Sequence, residues 1–142
     1  MKSKRNRESI HSPVILVTGG DSGIGLGIAR KFAQEGDRVA ICGLNRLRGA
    51  QALVRFRNFT IDADYFVADL RKEKQIQRLI RQTVEHFGRL DVLCNNAGIQ
   101  KLASIEKASS SLWDDVMSVN LRGMFLSTKY VILHHEGHEV QE

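Results

Sequence analysis

The most constraining feature of this chain is an abrupt change of texture at residue 18. Val14-Ile15-Leu16-Val17 is an unbroken apolar run, and Thr18-Gly19-Gly20-Asp21-Ser22-Gly23-Ile24-Gly25 follows at once. Ile24, Ile28 and Phe32 then recur at helical spacing as far as Gly36. An apolar run that does not alternate is buried on both faces, as strands of a parallel sheet are. Parallel neighbours need a crossover connection, usually a helix. A buried strand, a glycine turn and an amphipathic helix therefore predict the first half of a βαβ unit.

The pattern repeats along the chain. Val39–Cys42 reads as a second strand closed by Gly43, and residues 46–57 as a helix carrying Leu47, Ala50, Leu53 and Val54, weakened by Gly49. Tyr65–Ala68 reads as a third strand ending at Asp69. Residues 72–87 make a strong helical stripe of Ile76, Leu79, Ile80, Thr83, Val84 and Phe87, stopped by Gly88. Leu90–Cys94 reads as a fourth strand, and a polar loop at 101–111 leads into a long helix over 112–133. The expected class is α/β, a doubly wound parallel sheet truncated after the fourth strand and the long helix that follows.

Composition removes other classes. The 142 residues are 42% hydrophobic and 26% charged, the balance of an ordinary globular domain. The formal charge of +5 is concentrated at the start, where Lys2, Lys4, Arg5 and Arg7 face Glu8 alone. No aromatic residues interleave with those bases, so nucleic acid is not an expected partner; residues 1–12 read as a basic flexible arm. No apolar run approaches the roughly 18–20 residues of a membrane helix, and no apolar stretch follows the arm as in a secretory signal. Cys42 and Cys94 stand apart with no CxxC pair, which suits a reducing, cytoplasmic compartment. His134 and His138 have a four-residue spacing, but Gly137 disfavours a helix there, so residues 134–142 read as a flexible tail and no metal site is expected.

The glycine turn carries the chemistry. Amides at a helix start are unpaired and bear partial positive charge, so they attract a diphosphate. Gly19 permits the tight turn, Gly23 lets a ligand approach the backbone, and Gly25 allows close helix packing. Asp21, Ser22 and Ile24 complete the loop, with Ser22 either a phosphate contact or a helix N-cap. Residues 13–133 thus read as a dinucleotide-binding domain.

Four motifs in order now carry a family resemblance. They are Thr18-Gly-Gly-x-x-Gly-Ile-Gly25, Asp69, Asn95-Asn96-Ala97-Gly98, and Val119-Asn120 in the long helix. Together they resemble the short-chain dehydrogenases/reductases. The resemblance implies a Rossmann-type fold and an NAD(P)-dependent oxidoreductase that moves a hydride between a small-molecule alcohol and a ketone. It implies that Asp69, with Leu70 beside it, accepts from the adenine amino group, and that Asn95 ties neighbouring strands. It implies that Asn96, Ala97 and Gly98 line the adenosine ribose and the nicotinamide side. Asn120 would hold a water that links the catalytic lysine to solvent; its plainer reading is a satisfied core amide. An alternative for Asp69 is an N-cap of the next helix. The long helix, through Leu112, Val116, Val119, Gly123, Leu126 and Tyr130, would face a partner subunit and mediate self-association.

The end of the second strand bears on the coenzyme. An acid there pairs with the ribose 2′-hydroxyl and repels a 2′-phosphate. Here Cys42-Gly43-Leu44-Asn45-Arg46 has none, and Arg46 lies within sequence reach of a 2′-phosphate. The expectation is NADP in preference to NAD. The family's general acid/base, a tyrosine with a lysine four positions on, has no counterpart: Tyr65 precedes Asp69 and Tyr130 precedes His134 at that spacing. The chain therefore reads as the cofactor-binding half of such an enzyme, with a catalytically inactive nucleotide-binding or interaction module as the alternative.

Overall fold

The computed structural model describes residues 11–59 and 62–137. Most of the basic arm, and the tail from residue 138 including His138, lie outside the described residues. Four strands, β1 (Val14–Thr18), β2 (Arg38–Gly43), β3 (Ala63–Val67) and β4 (Val92–Cys94), form one parallel sheet in the order β3-β2-β1-β4. The crossovers are α1 (Gly23–Gln34), α2 (Arg46–Phe56) and α3 (Glu73–Phe87). After β4 come α4 (Ser110–Met117), a π-helical turn (Ser118–Gly123) and α5 (Met124–His135).

Alternation along β1 divides the core. Ile15 and Val17 face α1 and α2, in a layer with Ala29, Ala33, Ile41, Ala52 and Phe56. Val14 and Leu16 face the other side, with Ile76, Leu79, Ile80, Leu126 and Tyr130. Both faces are covered, as the unbroken apolar strands required. Each fully buried Leu, Ile or Val contributes roughly 1.5–3 kcal/mol relative to exposure.

Two helical stripes differ from those read in the sequence. On α1 the buried positions are Gly25, Ala29 and Ala33, with Ile28 and Phe32 half-buried against the same layer and Ile24 exposed. On α2 they are Gly49, Ala52 and Phe56, while Leu47 and Val54 are exposed. Small residues let these helices lie close to the sheet. A Cβ on Gly49 would stand 2.2 Å from Cδ1 of Tyr65, so the glycine that weakens the helix locally is what admits the tyrosine ring. The stripe on α3 is as expected, ending at Gly88 with φ +78.

The long helix also needs correction. It is interrupted by the π-helical turn, and it continues through His134 and His135, which were expected in the tail. Val119, Gly123, Leu126 and Tyr130 of its stripe are buried within the chain, Leu126 and Tyr130 in the core layer beside α3. Tyr130 donates to Glu73 Oε1, which anchors α5 to the start of α3. Among the described residues no helix is long and apolar enough to cross a membrane, and no cluster of three or more His, Cys, Asp or Glu could hold a metal.

Candidate functional site

The C-terminal end of the sheet opens into a cleft of about 720 Å³. Gly19, Asp21, Ser22, Ile24, Gly25, Leu44, Asp69, Leu70, Asn96, Ala97 and Gly98, all singled out in the sequence, line it. The loop after β1 turns at Gly19 (φ +64) and Gly23 (φ +52), conformations that L side chains rarely adopt. A Cβ added to Gly23 would meet nothing within 4 Å, so the backbone there is open to a ligand. A Cβ on Gly25 would meet the Gly19 carbonyl oxygen at 2.3 Å and Asn96 Nδ2 at 2.4 Å. Gly25 therefore packs against the loop itself. Ser22 occupies the N-cap position of α1, yet its side chain makes no capping bond.

Hydrogen bonds fix the loop to β4. Thr18 Oγ1 donates to the Cys94 carbonyl (3.3 Å) and accepts from the amides of Asn96 and Ala97, each at 3.0 Å. Asn96 Nδ2 donates to the Thr18 carbonyl at 3.0 Å and to that of Gly19 at 3.3 Å. Asn96, not Asn95, is thus the residue that ties β1 to β4. Asn95 instead donates to Thr128 Oγ1 of α5 at 3.0 Å.

Asp69 is held by Arg71. Its carboxylate accepts from Arg71 Nε at 2.9 and 3.2 Å, from Nη2 at 2.9 Å and from the Arg71 amide at 3.0 Å. The Arg71 guanidinium keeps the Asp69 carboxyl below the usual carboxylate range, against a smaller opposing effect of burial. Asp69 does not cap α3; Lys72 is at that position. Arg71 also donates to Asp115 at 3.1 Å, and Asp115 pairs with Lys101. This ion network forms one wall of the cleft.

Arg46 and Asn45 stand elsewhere than expected. Arg46 lines a separate groove with Tyr65, Phe66 and Arg78, and the arginine of α2 that lines the cleft is Arg48. Asn45 is the N-cap of α2, its side chain accepting from the Arg48 amide at 3.0 Å. Asn120 lies in the π-helical turn and spends both amide groups on one peptide: Oδ1 accepts from the Ile99 amide and Nδ2 donates to the Ile99 carbonyl, each at 2.8 Å. The side chain thereby positions Ile99 in the cleft wall. Arg48, Arg71, Lys101 and Asp115 were not selected as site residues in the sequence.

Burial pushes the Cys42 thiol up to about 12. Tyr65 is also pushed up to about 12, first by burial and then by the Asp21 carboxylate.

The fold is Rossmann-like, with a glycine-lined cleft at the C-terminal end of its parallel sheet. The family model for short chain dehydrogenases matches residues 13–139, and the chain belongs to that family. An uncharacterized oxidoreductase of Thermotoga maritima is 38% identical over 119 residues, covering 84% of this chain and 47% of the relative. Actinorhodin polyketide ketoreductase, in its F189W form with NADPH, superposes with a TM-score of 0.84 at 37% identity, over 90% of this chain and 51% of that one. NADH-dependent reductase A1-R′ complexed with NAD superposes with a TM-score of 0.79 at 31% identity, over 90% and 56%. The chain spans about half the length of the curated relatives it matches.

Proposed function

We propose that the cleft binds a nicotinamide dinucleotide and that the chain forms the cofactor-binding part of an oxidoreductase acting on a small-molecule alcohol or ketone. The observation that carries this is Gly23: positive φ, no side chain, and open space where a Cβ would stand, at the start of α1. The turn itself favours glycine through this φ, and the open space leaves the backbone amides accessible to a diphosphate. The loop amides from Gly19 to Gly25 would hold the diphosphate, Asp69 and Leu70 the adenine, and Asn96, Ala97 and Gly98 the far side. When bound, the nicotinamide supplies the hydride acceptor or donor. Asn120 serves as a positioning residue that holds Ile99. The choice between NAD and NADP falls to groups that gather beside the end of β2, among which the arginine is Arg48 of α2 rather than Arg46.

A second reading, a nucleotide-binding module without turnover, is favoured by the tyrosines. Tyr130 is spent on Glu73, and Tyr65 packs against α2. Titration of NADH and NADPH, followed by turnover assays on a panel of ketones, separates the two. Binding without turnover by these 142 residues is the expected outcome. Absence of binding by either coenzyme contradicts both.

Self-association through the last helix remains a proposal, on a different face from the one first expected. Phe125, 63% exposed, and Leu121, 58% exposed, line one outward groove with Met117. Sedimentation of the native chain against Phe125→Glu tests it: a shift toward monomer is expected. Free thiols at Cys42 and Cys94 accord with placement in the cytoplasm.

A further inference from the structure

Resting on the reading that the cleft takes a nicotinamide dinucleotide, we propose that Asp21 reads the 2′-position of the adenosine ribose and makes the site prefer NAD(H) to NADP(H). In doubly wound sheets this discrimination comes from an acid near the end of the second strand, which accepts from the 2′-hydroxyl and repels a 2′-phosphate. β2 ends in Cys42-Gly43-Leu44-Asn45 and carries no acid. The fold delivers one from another segment. A Cβ placed on Gly43 would stand 2.8 Å from both Cγ and Oδ2 of Asp21. The carboxylate from the glycine loop thus fills the space from which a side chain at the end of β2 would start. Gly43 leaves that space free.

The state of this carboxylate points to a ligand. The Asp21 side chain is only 4% exposed, and no hydrogen bond reaches Oδ2. Buried carboxylate oxygens are normally supplied with donors, because leaving one without is costly. Asp21 lines the cleft, so a hydroxyl group entering there can provide that donor. Arg48 faces the same oxygen, with Nε at 3.3 Å, and its side chain is 54% exposed. Its single charge is already matched by Asp21. A 2′-phosphate would bring about two negative charges against a buried carboxylate whose one neighbouring cation is spoken for. A ribose diol brings none. The charge on Asp21 is felt by its neighbours, since it contributes to raising both Cys42 and Tyr65. This preference is opposite to the one expected from Arg46, which lies outside the cleft.

The test is equilibrium binding, read by NADH and NADPH fluorescence, on the native chain and on Asp21→Asn. The native chain should bind NADH at least about tenfold more tightly than NADPH, as loss of one charge-assisted hydrogen bond plus repulsion implies. Asp21→Asn keeps the shape, removes the charge and should erase that ratio. Native affinity for NADPH equal to or above that for NADH, or a ratio unchanged in Asp21→Asn, overturns the role of Asp21 while the dinucleotide reading stands. Failure of the native chain to bind either coenzyme overturns both. If Asp21→Asn does not fold, NADH lacking the adenosine 2′-hydroxyl decides on the native chain. A loss of about tenfold is expected, and affinity equal to that of NADH overturns the proposal.

Discussion

The two ends of the parallel sheet treat their polar groups in opposite ways. At the N-terminal end, the buried guanidinium of Arg38 donates to the Phe87 carbonyl at 2.9 Å and twice to the Ser12 carbonyl at 3.2 Å. Asp91 accepts from the Val14 amide at 2.8 Å and is clamped by Arg89. At the C-terminal end, Gly23 has open space above it and Asp21 Oδ2 lacks a donor. Both ends contain a carboxylate facing an arginine, yet only one is satisfied within the chain. A group completed by its own fold contributes to stability; one left incomplete at a cleft is available to a ligand.

Substitutions can break or sharpen that contrast. The largest effect is expected at the open end, for Gly25→Val. Its Cβ would fall 2.3 Å from a backbone oxygen, which cannot rotate away, so the loop must shift at a cost of about 3 kcal/mol or more. Thermal melting should show the loss, and a native-like melting temperature would contradict the packing role. Next is Arg38→Met at the closed end. It removes the donor of the buried Phe87 bond and the two part-buried bonds to Ser12, and should cost about 2–3 kcal/mol in urea unfolding. Coenzyme affinity of the folded fraction should not change; a fall in affinity would break the separation of the two ends.

Gly23→Ala sharpens the contrast further. With no protein atom within 4 Å of the new Cβ, only the positive φ is penalised, at about 1–2 kcal/mol. Affinity for NADH should nonetheless drop by about tenfold or more, because the methyl group stands where the diphosphate approaches. Unchanged affinity would remove Gly23 from the site. The smallest effect concerns pH. Asp91 is held below its usual 3.8 by Arg89 first, and then by the Val14 amide. A depressed folded-state value means that its contribution is complete above the usual value and is lost as pH falls through the lower one. Asp91→Asn should therefore flatten the acid limb of stability below about pH 4, by lowering stability modestly near neutrality while changing it little at low pH.

What the sequence disclosed was main chain; what it concealed was direction. The course of β1, the loop and α1 follows from an apolar run and three glycines, because backbone conformation and two-sided burial leave little freedom. Side-chain partners depend on rotation that spacing alone does not reveal. Asn95 and Asn96 are adjacent, and in extended backbone adjacent side chains point to opposite sides, so which of them reaches β1 is hidden. Arg46 and Arg48 differ by roughly 200° around α2, which puts one outside the cleft and the other inside it. The buried stripes of α1 and α2 run through Gly25, Ala29, Gly49 and Ala52, where a pattern of large apolar residues pointed one position away. Close packing against the sheet selects small residues there, a signal that a search for Leu and Ile misses. Asn96 could have been found from Thr18: a strand-ending threonine between glycine turn and neighbouring strand needs partners for its hydroxyl.

The claim on which all of this rests is that a dinucleotide lies on the backbone amides at the C-terminal end of the sheet. Amide hydrogen exchange with and without saturating NADH tests it most directly. Slower exchange confined to residues 19–25, 43–48 and 96–99 is the result predicted, with the closed end around Arg38 and Asp91 unchanged. Exchange that is unaltered at Gly19–Gly25, or slowed only elsewhere, would contradict it.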